Sequence, residues 1–135
     1  MPPSFKRSPE TLTVLAEFLI KLPTNYRHAF EFRHASWDHP SALDLLHHHN
    51  CGWVIADSSR YFGSKQTPAD FSYVRFHGPT KLYASEYSDQ DLDRWAQTIT
   101  TLLTSKDVYC YFNNDFGGFA LKDCKRLISK IDYKH

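Results

Sequence analysis

The sequence predicts an α/β fold in which four parallel strands alternate with helices. Short stretches rich in aromatic and β-branched residues are separated by segments with helical periodicity. Parallel neighbours need a long crossover between them, and a helix of about ten residues or more supplies it. With 135 residues and 41% hydrophobic content, the chain is long enough for one domain with a core but too short for two ordinary ones. A single domain over residues 1–135 is therefore expected.

The first half of the chain contains two predicted helices and two predicted strands. They are a helix from Ser8 to Pro23, a strand over 28–33, a helix over 39–50 and a strand over 52–57. Ser8 is a suitable helix cap and Pro9 suits the first turn. The strand "GWVIAD" is almost continuously apolar, as expected of a strand with both faces covered, and it ends in Asp57.

The second half repeats this alternation after a loop. The predicted elements are a loop over 58–69, a strand over 71–77, a helix that opens at Ser88, a strand over 107–113 and a helix after Gly118. Ser88 with Asp91 three residues later resembles a capping box. In the last helix, one apolar face is predicted from the spacing of Ala120, Leu121, Cys124, Leu127, Ile128 and Ile131. Helices thus separate most of the strands. The loop over 58–69 connects two strands without a helix, so the pairing of those two strands stays open.

Charge, cysteine content and hydropathy exclude several classes of protein. Sixteen Lys and Arg against 15 Asp and Glu give a net charge of +1, which excludes a strongly basic nucleic-acid coat. A local stacking groove built from Arg33, Arg60, Arg75 and aromatic rings keeps nucleic-acid binding as a weaker alternative. The three cysteines match no zinc spacing and suggest a reducing compartment. No apolar run is long enough to span a membrane, so we expect a cytoplasmic protein.

Charged side chains alternate with apolar ones in two of the predicted strands. Phe30 and Phe32 share one face of the strand over 28–33, which places Glu31 and Arg33 on the other. Charge inside a covered sheet is tolerated where it reaches a polar pocket, and ligands bind at the carboxyl ends of parallel strands. The polar residues near those ends are Glu31, Arg33, Asp57, Arg75, His77, Asn113, Asn114 and Asp115. Together they predict one site.

These residue types suit the binding of a small anionic or phosphate-bearing ligand. Arg33 and Arg75 are candidate anion clamps, His77 is a candidate proton carrier, and Glu31 or Asp57 is a candidate carboxylate base. Two alternatives stay open at this point. Glu31 and Arg33 also fit a structural ion pair, and His77 also fits a packing histidine.

Further candidates lie in the loops beyond the strand ends. The segment "NNDFGG", with Asn113, Asn114 and Asp115, is a candidate anion cradle before a helix, although an ordinary turn fits it better. Trp37 and Tyr83 are expected to wall the pocket or to form a core lid. Asp57, His77 and Asp115 could join Glu31 around a divalent ion, but no pair has a diagnostic spacing and no metal is predicted. The cofactor is left unassigned.

Several segments together resemble one protein family in order and spacing. They are "PPSF" at the start, "FEFRHASW" at 30–37, "IAD" at 55–57, "YVRFHGP" at 73–79, "YSDQDLDRWA" at 87–96 and "VYCYFNND" at 108–115. The chain resembles the YecE-like family, a domain of unknown function that is similar to a TIM barrel, and the resemblance covers essentially the whole chain. It implies that this chain corresponds to the carboxy-terminal half, a partial barrel, and it supplies no reaction because the family's chemistry is not established.

If the chain is half of a barrel, we expect it to be a truncated product with exposed sheet edges. Met1 stands where a hydrophobic residue commonly precedes "PPSF", which suggests a truncated gene product. Two strands, around 28–33 and 108–113, are expected to be exposed edges. Self-association, or pairing with a missing amino-terminal half through these edges, is therefore expected. A non-catalytic fragment or binding half is the alternative to an enzyme.

Overall fold

A computed structural model describes residues 1–60 and 63–131, and its elements follow the predicted order. The strands are β1 (Ala29–Phe30), β2 (Gly52–Asp57), β3 (Phe71–Phe76) and β4 (Asp107–Phe112). The α-helices are α1 (Pro9–Ile20), α2 (Pro40–His48), α3 (Asp89–Leu103) and α4 (Phe119–Lys130). Two 3₁₀ turns cover Ala35–Trp37 and Phe116–Gly118. The predicted loop contains no helix or strand in its described part, and residues 61 and 62 of that loop lie outside the described residues.

The four strands form one parallel sheet in the order β1-β2-β3-β4. Ala29 lies opposite Gly52, Asp57 lies opposite Phe76, and Arg75 lies opposite Tyr111. Each strand therefore pairs with its neighbour in sequence, and the carboxyl ends meet at one edge. The predicted α/β fold with four parallel strands and flanking helices is confirmed.

The first strand is shorter than predicted. Only Ala29 and Phe30 pair with β2, whereas the sequence indicated a strand over 28–33. Beyond Phe30 the chain leaves the ladder, and the Glu31 carbonyl accepts a hydrogen bond from the Met1 amino group at 2.9 Å. Period-two alternation describes an extended chain whether or not that chain has a pairing partner, so it overestimates the length of an edge strand.

Both hydrophobic clusters lie on the helix-covered face of the sheet. Trp37, Phe32 and Trp53 form the centre of the first, with α1 and α2 around them. Val74 and Phe76 form the centre of the second, together with buried residues of α3 and α4. Apolar side chains of alternate strand residues therefore face the helices, which leaves their sequence neighbours on the opposite face.

Helix starts were predicted more accurately than helix faces. Ser88 forms the expected capping box with Asp91, and Ser8 is the expected cap of α1, where it forms a capping box with Thr11 as well. In α4, however, the predicted single apolar face is divided. Its members Leu121 and Ile128 are exposed, whereas Leu127 is buried against the second cluster.

No helix among the described residues is both long and apolar enough to cross a bilayer.

Candidate functional site

The sheet face opposite the helices lines an open groove of about 390 Å³. We call this surface the inner face. Its groove is lined by Arg27, Ala29, Glu31, Val54, Phe71, Tyr73, Arg75, Tyr109 and Tyr111. Alternation along β3 and β4 places Arg75 and Tyr111 beside each other on this face, because they are paired in the parallel register. The groove thus combines aromatic walls with a few charged groups, as ligand sites commonly do.

A four-residue ion cluster lies at the carboxyl end of the groove. Oε1 of Glu31 accepts a hydrogen bond from Nε of Arg33 at 2.7 Å. Oε2 of Glu31 accepts one from Nη1 of Arg75 at 3.1 Å, and Nε2 of His77 lies 3.3 Å from the same oxygen. The structure therefore brings together four of the predicted site residues, and we call them the Glu31 cluster.

The cluster keeps the Glu31 side chain ionised. Burial by itself raises the pKa of Glu31, since only 8% of the side chain is exposed. Hydrogen bonds from His77 and Arg33 outweigh that effect and lower the pKa to about 2. At neutral pH, one carboxylate therefore faces the guanidinium groups of Arg33 and Arg75, and the cluster carries an excess of positive charge even with His77 neutral.

Asn113 extends the cluster across to β4. In the amide orientation that its neighbours favour, its nitrogen donates to the Phe76 carbonyl at 2.8 Å and its oxygen accepts from Nη2 of Arg75 at 3.3 Å. Nδ1 of His77 lies 3.0 Å from the side-chain nitrogen of Asn113 in this orientation. The His77 side chain is fully buried. Contacts with Glu31 and Asn113 therefore hold the imidazole beneath the groove and away from its solvent.

Asp57 is separated from this cluster by the sheet. Its register partner Phe76 belongs to the core beneath α3 and α4, so the Asp57 side chain lies on the helix-covered face. Oδ2 of Asp57 accepts a hydrogen bond from Nε1 of Trp95 at 2.6 Å. Burial raises the pKa of Asp57, although the Trp95 hydrogen bond opposes this. The structure does not bring Asp57 to the groove with Glu31 and His77.

The two predicted aromatic wall residues have different positions. Trp37 is 0% exposed, stacks on Phe32 at 4.8 Å and donates from Nε1 to the Phe5 carbonyl at 2.8 Å. Its position is in the core, away from the groove. Tyr83 instead lies beyond the end of β3, with its ring 5.5 Å from the His77 ring. Its φ of 61° falls in the left-handed region, which is uncommon for a tyrosine.

Asn114 and Asp115 do not accompany Asn113 into the cluster. Asn114 is buried and donates from Nδ2 to Oδ2 of Asp123 at 2.8 Å. Asp115 is exposed before the 3₁₀ turn, where its carbonyl accepts a hydrogen bond from the Gly118 amide at 3.0 Å. The positive φ angles of Gly117 and Gly118 fit the turn interpretation of "NNDFGG".

The aromatic residues of the groove were not among the predicted site residues. Tyr73, Tyr109 and Tyr111 lie on the inner face because they alternate with core residues of β3 and β4. The signal was available, since the alternation that separates Arg75 from Phe76 also places Tyr73 beside Arg75 on one face.

No metal site accompanies the cluster within residues 1–60 and 63–131. There, no group of three or more His, Cys, Asp or Glu side chains is arranged to hold a metal ion. The ion pairs explain this for Glu31, since both of its oxygens already accept hydrogen bonds from cations. Asp57, on the other face of the sheet, is separated from these oxygens.

Comparison with known proteins places the whole chain in one family model. The model, described as a protein of unknown function, DUF72, matches residues 1–135. The UPF0759 protein YunF of Bacillus subtilis is 27% identical over 133 residues, which cover 79% of this chain and 47% of that protein. The YecE-like resemblance is compatible with these matches.

Two solved structures resemble the fold closely. A DUF72 family protein from Thermotoga maritima has a TM-score of 0.86 at 27% identity, covering 96% of this chain and 54% of its own. A DUF72 family protein from Enterococcus faecalis has a TM-score of 0.86 at 17% identity, covering 100% of this chain and 57% of its own. The second likeness shows the fold alone. The chain spans about half the length of each of these relatives.

Proposed function

The chain belongs to the DUF72 family of proteins of unknown function, and we propose that it binds a small anionic ligand in the inner-face groove, with Arg75 as the main contact. A phosphate or a carboxylate is the expected anionic group, because a guanidinium group binds either one through paired hydrogen bonds.

The observation that carries this proposal is the position of the Arg75 guanidinium. Two of its nitrogens are oriented by Glu31 and Asn113, yet 38% of the side chain remains exposed at the groove. A guanidinium group has more N–H donors than these two contacts use. Arg75 is therefore preorganised and still faces solvent, which favours the binding of an anion.

The other predicted roles change in the light of their surroundings. A carboxylate with a pKa of about 2 is a poor proton acceptor at neutral pH, so Glu31 serves better as an anchor for Arg33 and Arg75 than as a general base. Asp57 lies on the other face of the sheet, and His77 is fully buried. In this proposal His77 positions Glu31 and does not touch the ligand. These placements support binding over acid-base catalysis.

The test is a phosphate titration of the purified chain, followed by amide NMR shifts. We expect saturable shifts for residues of β3 and β4 around Arg75, and an affinity at least about tenfold lower in Arg75→Gln. Arg94→Gln is the matched control, because Arg94 lies on the surface of α3 with 68% of its side chain exposed. Unchanged affinity in Arg75→Gln, or equal losses in both variants, would contradict the proposal.

A second candidate function, pairing with another protein segment, is favoured by exposed apolar residues near both edges of the sheet. Near β1, α1 exposes Val14, Phe18 and Ile20, which are 58%, 50% and 72% exposed. Near β4, Leu121 and Ile128 of α4 are 64% and 59% exposed. We propose that the chain is one part of a barrel-like assembly in which further strands and helices cover these edges.

The mass of the purified chain in solution tests this second proposal. Light scattering is expected to show self-association, and near-UV circular dichroism is expected to change when the apolar α4 surface is altered by Leu121→Glu with Ile128→Glu. Val14→Ser with Phe18→Ser tests the α1 side in the same way. A well-packed monomer at high concentration, with identical mass in all variants, would contradict the proposal.

A further inference from the structure

The aromatic rings of the inner face form a platform next to the ion cluster. The rings of Tyr73 and Tyr111 are stacked, with centroids 5.0 Å apart and an angle of 12° between their planes. Tyr111 is 52% exposed, so a large part of its surface meets solvent. We call Tyr73 and Tyr111 the tyrosine platform.

This platform directly adjoins the proposed anion contact. Arg75 and Tyr111 are register partners on neighbouring strands, and Tyr73 precedes Arg75 by two residues on the same face of β3. Neighbouring strands lie about 4.8 Å apart, so the guanidinium group and the ring of Tyr111 lie within the span of one small molecule. The groove volume of about 390 Å³ falls within the usual range for small-molecule sites.

Electrostatics do not oppose an anion beside these rings. Burial, and then the neighbouring Tyr111, raise the pKa of Tyr73, so its hydroxyl stays neutral at physiological pH. At the other end of the groove, Arg27 is neutralised by Asp107 at 2.6 Å and lies over the rings of Phe71 and Tyr109, at 5.3 Å and 5.7 Å from their centroids. Of the two arginines in the groove lining, Arg75 is the register partner of Tyr111 and lies two residues from Tyr73.

We propose that the groove takes a ligand in which a planar ring carries an anionic phosphate or carboxylate. The ring lies against Tyr111 and the anionic group contacts Arg75. Stacking on a tyrosine contributes to affinity whatever hydrogen-bonding groups the ring carries. This subsite therefore selects ligands with a flat ring as a class and not one compound. The inference rests on the proposed function, because it needs Arg75 to hold the anion.

The experiment compares two probes that differ only in the ring, methyl phosphate and phenyl phosphate. We expect phenyl phosphate to bind the wild-type chain about tenfold more tightly, as one stacked ring contributes. Tyr111→Ala should remove most of that advantage and leave methyl phosphate affinity within about twofold. Tyr26→Ala is the control, because Tyr26 is 66% exposed and lies outside the groove lining.

The outcomes separate this inference from the proposed function. Equal affinities for the two probes, or equal losses for both in Tyr111→Ala, would overturn the ring subsite while leaving Arg75 as an anion contact. Absence of binding by both probes would overturn the proposed function and the ring subsite together. Because Tyr111 is half exposed on an edge strand, Tyr111→Ala is expected to fold, and its near-UV circular dichroism checks this. Tyr111→Leu, which keeps apolar bulk without a ring, is a second variant for the same comparison.

Discussion

Two clusters in this molecule each contain a buried carboxylate that accepts hydrogen bonds from arginine. They differ in the surroundings of the arginine side chain. In the Glu31 cluster, Arg75 contacts the carboxylate and is 38% exposed at the groove. In the second cluster, Asp123 is 0% exposed and accepts hydrogen bonds from the Tyr87 amide at 3.1 Å, from Asn114 at 2.8 Å and from Arg126 at 2.9 Å. We call Asp123, Asn114 and Arg126 the Asp123 cluster.

Arg126 is surrounded by acceptors of the chain itself. Besides Asp123, it contacts Glu86 at 3.1 Å, the Tyr87 carbonyl at 2.9 Å and Asp89 at 2.9 Å. The Asp123 cluster thus fastens the segment before α3 to helix α4, and its cation donates to several acceptors of the chain itself. An arginine–carboxylate pair therefore indicates a ligand site only where the guanidinium group also faces a cavity.

The largest expected effect is the loss of stability in Asp123→Ala. The change leaves the Tyr87 amide, Asn114 and part of Arg126 without their acceptor, and breaking a buried pair from one side costs about 4 kcal/mol. Urea unfolding measures this loss as a lower free energy of unfolding. Asp44→Ala is the control, since Asp44 is exposed on α2 and its loss should leave the unfolding midpoint unchanged. Similar midpoints for both variants would show that the Asp123 cluster is not structural.

A smaller effect is expected from the titration of Glu31. Its pKa in the folded chain is about 2, below the ordinary value of 4.5, so its stabilising contribution is complete above about pH 4.5 and is lost as the pH falls towards 2. The contribution is about 3 kcal/mol. In Glu31→Gln, the free energy of unfolding should therefore fall less between pH 5 and pH 3 than in the wild type.

The control for this titration is Glu17→Gln, which changes an exposed carboxylate on α1. It should keep the wild-type dependence on pH, because the contacts of Glu31 stay in place in this variant. If Glu31→Gln also kept it, the ion contacts of Glu31 would contribute nothing to stability.

Arg126→Gln separates the contribution of the Asp123 cluster to stability from the binding of an anion at Arg75. Loss of its charge-assisted hydrogen bonds should lower the free energy of unfolding by about 1 kcal/mol, because part of the side chain remains in water. Phosphate affinity should stay within about twofold of the wild type, in contrast to Arg75→Gln. A matching loss of affinity in Arg126→Gln would remove the distinction between the two clusters.

The smallest effect is expected at the exposed pair of Arg27 and Asp107. Their side chains are 41% and 66% exposed, and solvent screens such pairs. Arg27→Gln should leave the urea midpoint unchanged within error, in low salt and in high salt. A clear shift of the midpoint would mean that Arg27 stabilises the sheet through its contacts with the Phe71 and Tyr109 rings.

Much of the architecture was predictable from local patterns. Period-two alternation correctly separated Glu31 from Phe32 and Arg75 from Phe76, and the cap residues marked the starts of α1 and α3. The same alternation would also have separated Asn113 from Asn114, since neighbouring residues of an extended chain point to opposite sides. Treating the two asparagines as one group was the avoidable error.

The order of the elements and the parallel α/β class could be predicted without a structure, because periodicity and caps are local properties of the chain. The face of the sheet on which Asp57 lies depended on tertiary contacts. Both faces of β2 are apolar, so alternation along this strand does not show which face Asp57 is on. Asp57 pairs with Phe76, and its side chain lies on the face covered by α3. The burial of Trp37 and the exposure of Arg75 likewise depended on contacts between residues distant in sequence, which no local pattern records.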